Sequence, residues 1–377
     1  MRVAYLCADP GIPVLGSKGA SIHVQQIVRA FRRRGDDVTV YCTRTGEGSP
    51  EVLGDAGVVT RAVPRGAAAD RERAVSAAAA ELALTALGDG CELVYERYSL
   101  FSDAAARVGV PSVVEVNAPL IEEQRSYRSL VDEATAVATT RRLLSAASVV
   151  ACVSEPVAAW ALAHGAERPV VAPNGVDTRA FRPAESWDGP LRIVFVGSLK
   201  PWHGVHVALD ALTGLSGVEL TVIGDGPERE LLERRAAEAR IPVRWLGAVR
   251  HAQVAEALAG MHAGLAPYPA DAGDYFSPLK AYEYLAAGLA VVASDTGQLP
   301  ALIAHGRTGV LVPPGDATAL RAAITALRDD RQAARRLGAA ARTQAVQRHD
   351  WDRTLDGILR ALPGRQAPAA SAAVMTG

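Results

Sequence analysis

The sequence predicts an α/β protein made of two doubly wound domains, each built on a parallel sheet. Three observations carry this. The chain has 377 residues, more than one hydrophobic core usually organises. Short β-branched runs alternate with helical, often alanine-rich stretches, the pattern of βαβ units. The alternation occurs twice, with a segment rich in Pro, Gly, Asn and Asp between the two series.

In the first series the strand runs are RVAYLCA, DVTVYC, ELVYE, PSVVEV and SVVACVS, and ASIHVQQIVRAFRRRG is the first helix. The second series runs through LRIVFVG, VELTVIG, VRWLG, AGLAPY, AVVAS and TGVLV. The domains are expected over 1–172 and 191–345, joined by a linker over 173–190 in which few regular contacts are expected. A C-terminal helix over 346–365 is expected to return to the first domain, and 366–377, small and aperiodic, to be a disordered tail.

A formal net charge of -1 and a mean hydropathy close to zero indicate neither a polyanion-coating surface nor a disordered chain. Nucleic acid is therefore not an expected partner. Cys7, Cys42, Cys91 and Cys152 lie far apart, three of them inside apolar runs, and no pair has the spacing of a zinc or redox motif. A reducing cytoplasm suits them. The N-terminus lacks the apolar core of a signal peptide, and no stretch is long and apolar enough to span a bilayer. Peripheral membrane contact stays open, though no basic helix supports it.

Open α/β sheets bind ligands at the carboxyl ends of their strands, so the strand-to-helix loops carry the functional reading. In SPLKAYEYLAAG, Ser277 suits an N-cap, Pro278 the first helical position and Gly288 the C-terminal end. The free amides there, with the dipole and Lys280, favour a phosphate. Glu283 lies on the same face as Leu279 and Lys280, one turn deeper, where a carboxylate can accept from a sugar's hydroxyl pair. The bland alternative is a capped helix with a solvated Lys280–Glu283 pair.

In GSLKPWHG, Gly197 and Gly204 bracket Lys200 and His203, and glycines there allow close backbone approach to a ligand. A lone histidine in such a loop is more often an ordinary surface residue. PVLGSKGASIHV offers a third anion cradle, with Gly16, Lys18 and Gly19 ahead of a helix bearing Ser21 and His23. It has neither the G-x-G-x-x-G of a dinucleotide-binding dehydrogenase nor a Walker G-x-x-x-x-G-K-[ST]. His23 reads equally well as a half-buried helix residue.

Taken together, VGSLKPWHGVHVALDAL, VIGDGPERELLERRA, LGAVRHAQVAEALA, SPLKAYEYLAAGLAVVASDTGQLPALIAHGRTGVLVPPGDATALRAAI, APNGVDTRAF and HDWDRT, in that spacing, resemble the retaining family-four glycosyltransferases of the GT-B fold. The resemblance covers nearly the whole chain. It implies two Rossmann-like domains facing a central cleft, with a nucleotide-sugar held mainly by the second and an acceptor entering from the first. It implies that Glu283 holds the ribose hydroxyls and that the amides of Leu279 and Lys280 face the diphosphate. The base would lie near Gly224 and Gly226 and beside the backbone of Val249, and Gly19 would close on the phosphates from the other domain.

Three departures from the family pattern involve four positions. Ser198 stands for a common arginine and His203 for a lysine, leaving Lys200, Lys280 and His203, in either protonation state, to meet the diphosphate together with Gly197 and Ser277–Lys280. Tyr275 stands for a carboxylate that commonly contacts the transferred sugar, with Asp271 or Asp274 as nearby substitutes. Asn117 stands for a histidine, and can hydrogen-bond a hydroxyl but cannot take a proton. A subset of the family resembles this chain in all three places.

The resemblance implies retention of configuration by a front-face reaction, in which Asn117, Lys200, His203 and Lys280 position groups and stabilise the leaving diphosphate without a metal or cofactor. A UDP-sugar is favoured as donor, with a GDP-sugar also in range. The acceptor is expected to be a polysaccharide intermediate or a small natural product. Lys18, Ser21, His23, Arg97, Glu115, Asn117, Asp274 and Tyr275 are the candidates around acceptor and sugar, with Arg97 and Glu115 alternatively a structural ion pair. Two other functions fit the same scaffold: a nucleotide-sugar epimerase, and a nucleotide-sugar-binding protein without turnover.

Overall fold

A computed structural model of the protein describes residues 1–127, 129–271 and 278–364. The chain forms two compact units. One comprises Met1–Gly16, Ile27–Ala172 and the chain from Asp352 onward, and the other Ser17–Gln26 and Pro173–Trp351.

The first unit holds strands β1 (Arg2–Cys7), β2 (Asp37–Cys42), β3 (Gly57–Thr60), β4 (Leu93–Arg97), β5 (Ser112–Val116), β6 (Val149–Cys152) and β7 (Val170–Val171). They form a parallel sheet in the order β3-β2-β1-β4-β5-β6-β7. Its helices are α1 (Gly19–Arg33, whose first turns group with the second unit), α2 (Ala68–Gly88), α3 (Leu120–Tyr127), α4 (Glu133–Ala146) and α5 (Glu155–Ala163). Sequence reading finds neither β3 nor β7. Both are short edge strands with half-exposed residues, so they lack the continuous buried run that marks a central parallel strand.

The second unit holds β8 (Leu191–Val196), β9 (Val218–Ile223), β10 (Val243–Gly247), β11 (Ala263–Ala266), β12 (Ala290–Ser294) and β13 (Gly309–Val312). Their order is β10-β9-β8-β11-β12-β13, again parallel. Between and after them come α6 (Val205–Leu212), α7 (Arg229–Glu238), α8 (His251–Leu258), α9 (Leu279–Ala286), α10 (Leu299–Leu302), α11 (Ala317–Asp329) and α12 (Arg331–Arg348). Successive strand side chains point to opposite faces. Ile193 and Phe195 accordingly join the core under α6, α7 and α11, whereas Val194 joins the one under α8, α9 and α12.

The linker is more firmly held than its composition suggests. Val176 N–H donates to His349 O at 2.7 Å, Thr178 Oγ1–H donates to Asp350 Oδ2 at 2.6 Å, and Phe181 is fully buried. Pro and Gly signal the turns, but the anchor is a pair of apolar side chains and one hydroxyl that composition does not weigh. α12 ends at Arg348, and a separate helix, α13, spans Trp351–Arg360. Arg33 meets Asp352 and Arg34 meets Asp356, both at 2.5 Å, tying α13 to the end of α1 and the residue after it. The tail 366–377 lies outside the described residues.

Candidate functional site

In each unit the strand order reverses once, between β1 and β4 and between β8 and β11. Such reversals leave a crevice at the carboxyl ends of the strands. In the second unit Tyr284 of α9 fills the splay between β8 and β11. Val196 N–H donates to its hydroxyl at 2.8 Å, and the hydroxyl donates to Leu265 O at 3.3 Å. A Cβ on Gly264 would collide with the Tyr284 ring, so this strand position requires glycine.

α9 begins at Leu279, one residue later than the sequence suggests. Pro278 is the cap residue, at φ -81° and ψ 82°, and its carbonyl accepts from Ala281 N–H at 2.9 Å. Proline before the first turn already satisfies the missing donor, so the helix starts after it. Ser277, Asp274 and Tyr275 lie outside the described residues. At the other end Gly288 (φ +67°) closes the helix, with Gly288 N–H on Leu285 O and Leu289 N–H on Tyr284 O, both 3.0 Å.

Lys280 turns inward from the first turn of α9 and is 8% exposed. Its Nζ lies 4.2 Å from the ring centre of Phe195 and 5.3 Å from that of Tyr268. It makes no hydrogen bond among the described residues. A Cβ on Gly197 would stand 3.1 Å from that Nζ, which places the ammonium against the loop leaving β8. Burial lowers its pKa from 10.5 to about 7, against a smaller opposing effect of Glu283. The bland alternative, a solvated Lys280–Glu283 pair, is therefore not what forms.

The loop from Gly197 to Gly204 interlocks with the one after β9. Gly197 N–H donates to Ile223 O and Leu199 N–H to Asp225 O, both at 2.9 Å. A Cβ on Gly224 would overlap the Gly197 carbonyl, and one on Gly204 the Pro267 carbonyl. Backbone packing within the protein thus requires glycine at both positions. Gly226 N–H donates to Asp225 Oδ1 at 2.8 Å. Val249 is half-buried against the core beneath α9.

His203 Nδ1 lies 2.5 Å from Ser198 O and 3.2 Å from Ser198 Oγ. A carbonyl only accepts, so Nδ1 carries the proton and Nε2 is left as an acceptor. Burial, with Lys280 and Lys200 adding to it, lowers the ring's pKa to about 4. His203 is thus neutral at the position where the resemblance implies a lysine. Lys200 is half-buried, its Nζ 4.7 Å from the ring centre of the exposed Trp202.

Glu283 is not left to solvent. His251 Nε2 stands 2.9 Å from its Oε1, with the Glu283 side chain 13% exposed. His251 opens α8, and Phe181 packs edge-on against its ring at 5.8 Å. Sequence reading missed His251. The signal was its place at the start of the helix after β10, a loop read only for Val249.

Among the residues from the N-terminal cradle, Lys18 and Gly19 are exposed, and the Lys18 carbonyl accepts from Ile22 N–H at 3.0 Å. Residues 17–26 group with the second unit, where a Cβ on Gly19 would meet Leu279 Cδ1 at 3.2 Å. Gly19 thus reaches α9 from within that unit. Ser21 is buried with its Oγ unpartnered among the described residues. His23 is buried edge-on against Trp351, ring centres 4.8 Å apart.

In the first unit Arg97 and Glu115 end β4 and β5 side by side. They form the buried ion pair that was the structural alternative, Nη1 to Oε2 3.6 Å, with Tyr95 OH donating to Glu115 Oε1 at 2.8 Å. Asn117 follows β5, its Nδ2 buried and unpartnered among the described residues. All four cysteines are buried free thiols. Among the described residues no cluster of three metal-ligating side chains occurs, and no helix is long and apolar enough to cross a membrane.

This architecture, two parallel sheets each with one strand-order reversal, has close matches among known proteins. Residues 17–180 match the family model Glycosyltransferase Family 4, and residues 190–330 that of Glycosyl transferases group 1. The chain is 31% identical over 266 residues to the GDP-mannose-dependent alpha-mannosyltransferase of Mycolicibacterium smegmatis, covering 68% of each chain. It is 32% identical over 188 residues to the glycogen synthase of Mycobacterium tuberculosis, covering 47% of this chain and 44% of that one. It spans about half the length of the first curated relatives it matches. Sucrose-phosphate synthase from Thermosynechococcus elongatus superimposes with a TM-score of 0.73 at 20% identity, over 96% of this chain and 98% of that one. The chain belongs to the family-four glycosyltransferases and has the GT-B fold.

Proposed function

We propose that the protein transfers a sugar from a nucleoside-diphosphate donor to an acceptor hydroxyl, with retention of anomeric configuration. The observation that carries this is Lys280, a buried ammonium that meets no acceptor among the described residues and stands beside the Gly197 loop where the strand order reverses. The first amides of α9 have no acceptor within the helix, and they add donors on the same turn. Glu283, one turn deeper, supplies the carboxylate for ribose hydroxyls.

The acceptor oxygen attacks the anomeric carbon while the bond from that carbon to the diphosphate oxygen breaks on the same face. The acceptor's proton passes to a diphosphate oxygen, and no protein nucleophile is formed. Lys280, Lys200 and the α9 amides stabilise the departing charge, so no divalent cation is required. His203, neutral, accepts a hydrogen bond instead of supplying charge. Asn117 is proposed to hold the acceptor hydroxyl through its Nδ2, unpartnered among the described residues. UDP- and GDP-sugars are the proposed donors, the second supported by the name of the mannosyltransferase relative. A polysaccharide intermediate or a small natural product is the proposed acceptor.

Calorimetric titration with UDP, GDP, ADP and dTDP tests the donor site first. At least one is expected to bind, and Glu283→Gln is expected to weaken it about tenfold, the scale of a charged hydrogen bond. If none of the four binds, the proposal fails. Product analysis with chelator present, with and without acceptor, then separates transfer from epimerisation and from binding without turnover.

A further inference from the structure

Glu283 has three rotatable side-chain bonds, and a carboxylate that must meet two ribose hydroxyls works best when its plane is already set. Within the second unit one group sets it. His251 Nε2 lies 2.9 Å from Glu283 Oε1, and it is the carboxylate's one hydrogen-bond partner among the described residues. The ring is itself held. It opens α8, whose first turn is closed by Arg250 N–H donating to Gln253 Oε1 at 3.0 Å, and the fully buried Phe181 packs against it at 5.8 Å and 77°.

We infer that His251 is a positioning residue for the ribose of the donor. It donates from Nε2 to Oε1 and fixes the Glu283 carboxylate, leaving Oε2 and the second lone pair of Oε1 to accept from the 2′- and 3′-hydroxyls. This rests on the reading of Glu283 as the ribose ligand. The competing role, a simple strut between α8 and α9, would affect stability without regard to what the nucleotide carries at its sugar.

The sugar is therefore the probe. The full chain is titrated with UDP and 2′-deoxy-UDP, or with GDP and 2′-deoxy-GDP if guanosine is the preferred base. Wild-type protein is expected to favour the ribonucleotide by about tenfold. His251→Ala is expected to shrink that ratio to within about threefold by weakening the ribonucleotide alone. His251→Gln, whose amide N–H reaches a similar point, is expected to recover most of the ratio. In turnover the loss should appear in the KM for donor and not in kcat.

If Glu283→Gln abolishes the ratio while His251→Ala keeps it, His251 does not position the carboxylate and the ribose assignment of Glu283 stands. If Glu283→Gln also keeps the ratio, the ribose assignment falls and the inference with it. Should His251→Ala fail to fold, His251→Asn, too short to reach Oε1, is compared with His251→Gln, and equal ratios in the two overturn the inference.

Discussion

Lys280 is the residue at which burial and function pull in opposite directions. An amine shut among Phe195, Tyr268 and Gly197 loses its hydration, and burial brings its pKa from 10.5 down to about 7. Between those values the unfolded chain keeps a proton that the folded chain has released. Ligand-free stability therefore rises with pH across the window. Diphosphate favours the ammonium, so the sign reverses for binding: a proton is taken up, and affinity falls as pH climbs through about 7 to 10. Nucleotide titrations at pH 8 in two buffers of different ionisation enthalpy should show that uptake. Lys280→Met should remove both the uptake and about 10- to 100-fold of affinity. An unchanged buffer dependence in Lys280→Met would mean that another group takes the proton. His203, held near 4, is neutral throughout this range and adds no step to it.

At the scale of elements, the central strands were legible because a parallel strand buried on both faces must be a continuous apolar run. Edge strands β3 and β7, half-exposed, escape that requirement. α9 was legible through Ser, Pro and Gly punctuation, yet its start shifted by one residue because Pro278 caps the helix instead of entering it. The partners of its charged residues were not legible at all. Phe195 lies 85 positions before Lys280, and His251 lies 32 before Glu283, so no periodicity links them and only the sheet order brings them together. Glycine is legible in the sequence as a residue type, but its packing partners are not. Gly224 has φ +138°, and a Cβ there would strike the Gly197 carbonyl, so Gly224→Ala is expected to destabilise by about 1–3 kcal/mol. Urea unfolding measures this, and a loss under about 0.5 kcal/mol would show that the two loops part easily.

Across the whole molecule, the sequence announced two α/β repeats and a join between them, because the same alternation of strand and helix begins twice. It did not announce how the join is secured. Val176 bridges to Asp350, and Thr178 gives Asp350 both its hydroxyl, at 2.6 Å, and its amide, at 3.4 Å. Thus the segment entering the second unit is stitched to the segment leaving it, 172 residues later. Asp350 is 8% exposed, whereas Arg179, 3.8 Å away, has a half-exposed side chain and adds little. The Thr178 bonds are buried, and Asp350→Ala is expected to cost about 2–3 kcal/mol. Asp350→Asn keeps one acceptor oxygen for Thr178 and should cost less than half of that. Because neither change touches α9 or the Gly197 loop, nucleotide affinity at a temperature where both variants stay folded should match the wild type. Urea midpoints and calorimetric affinities read on the same samples separate the two quantities. A loss of affinity without a loss of stability would show that this stitch serves the binding site directly and not the integrity of the unit.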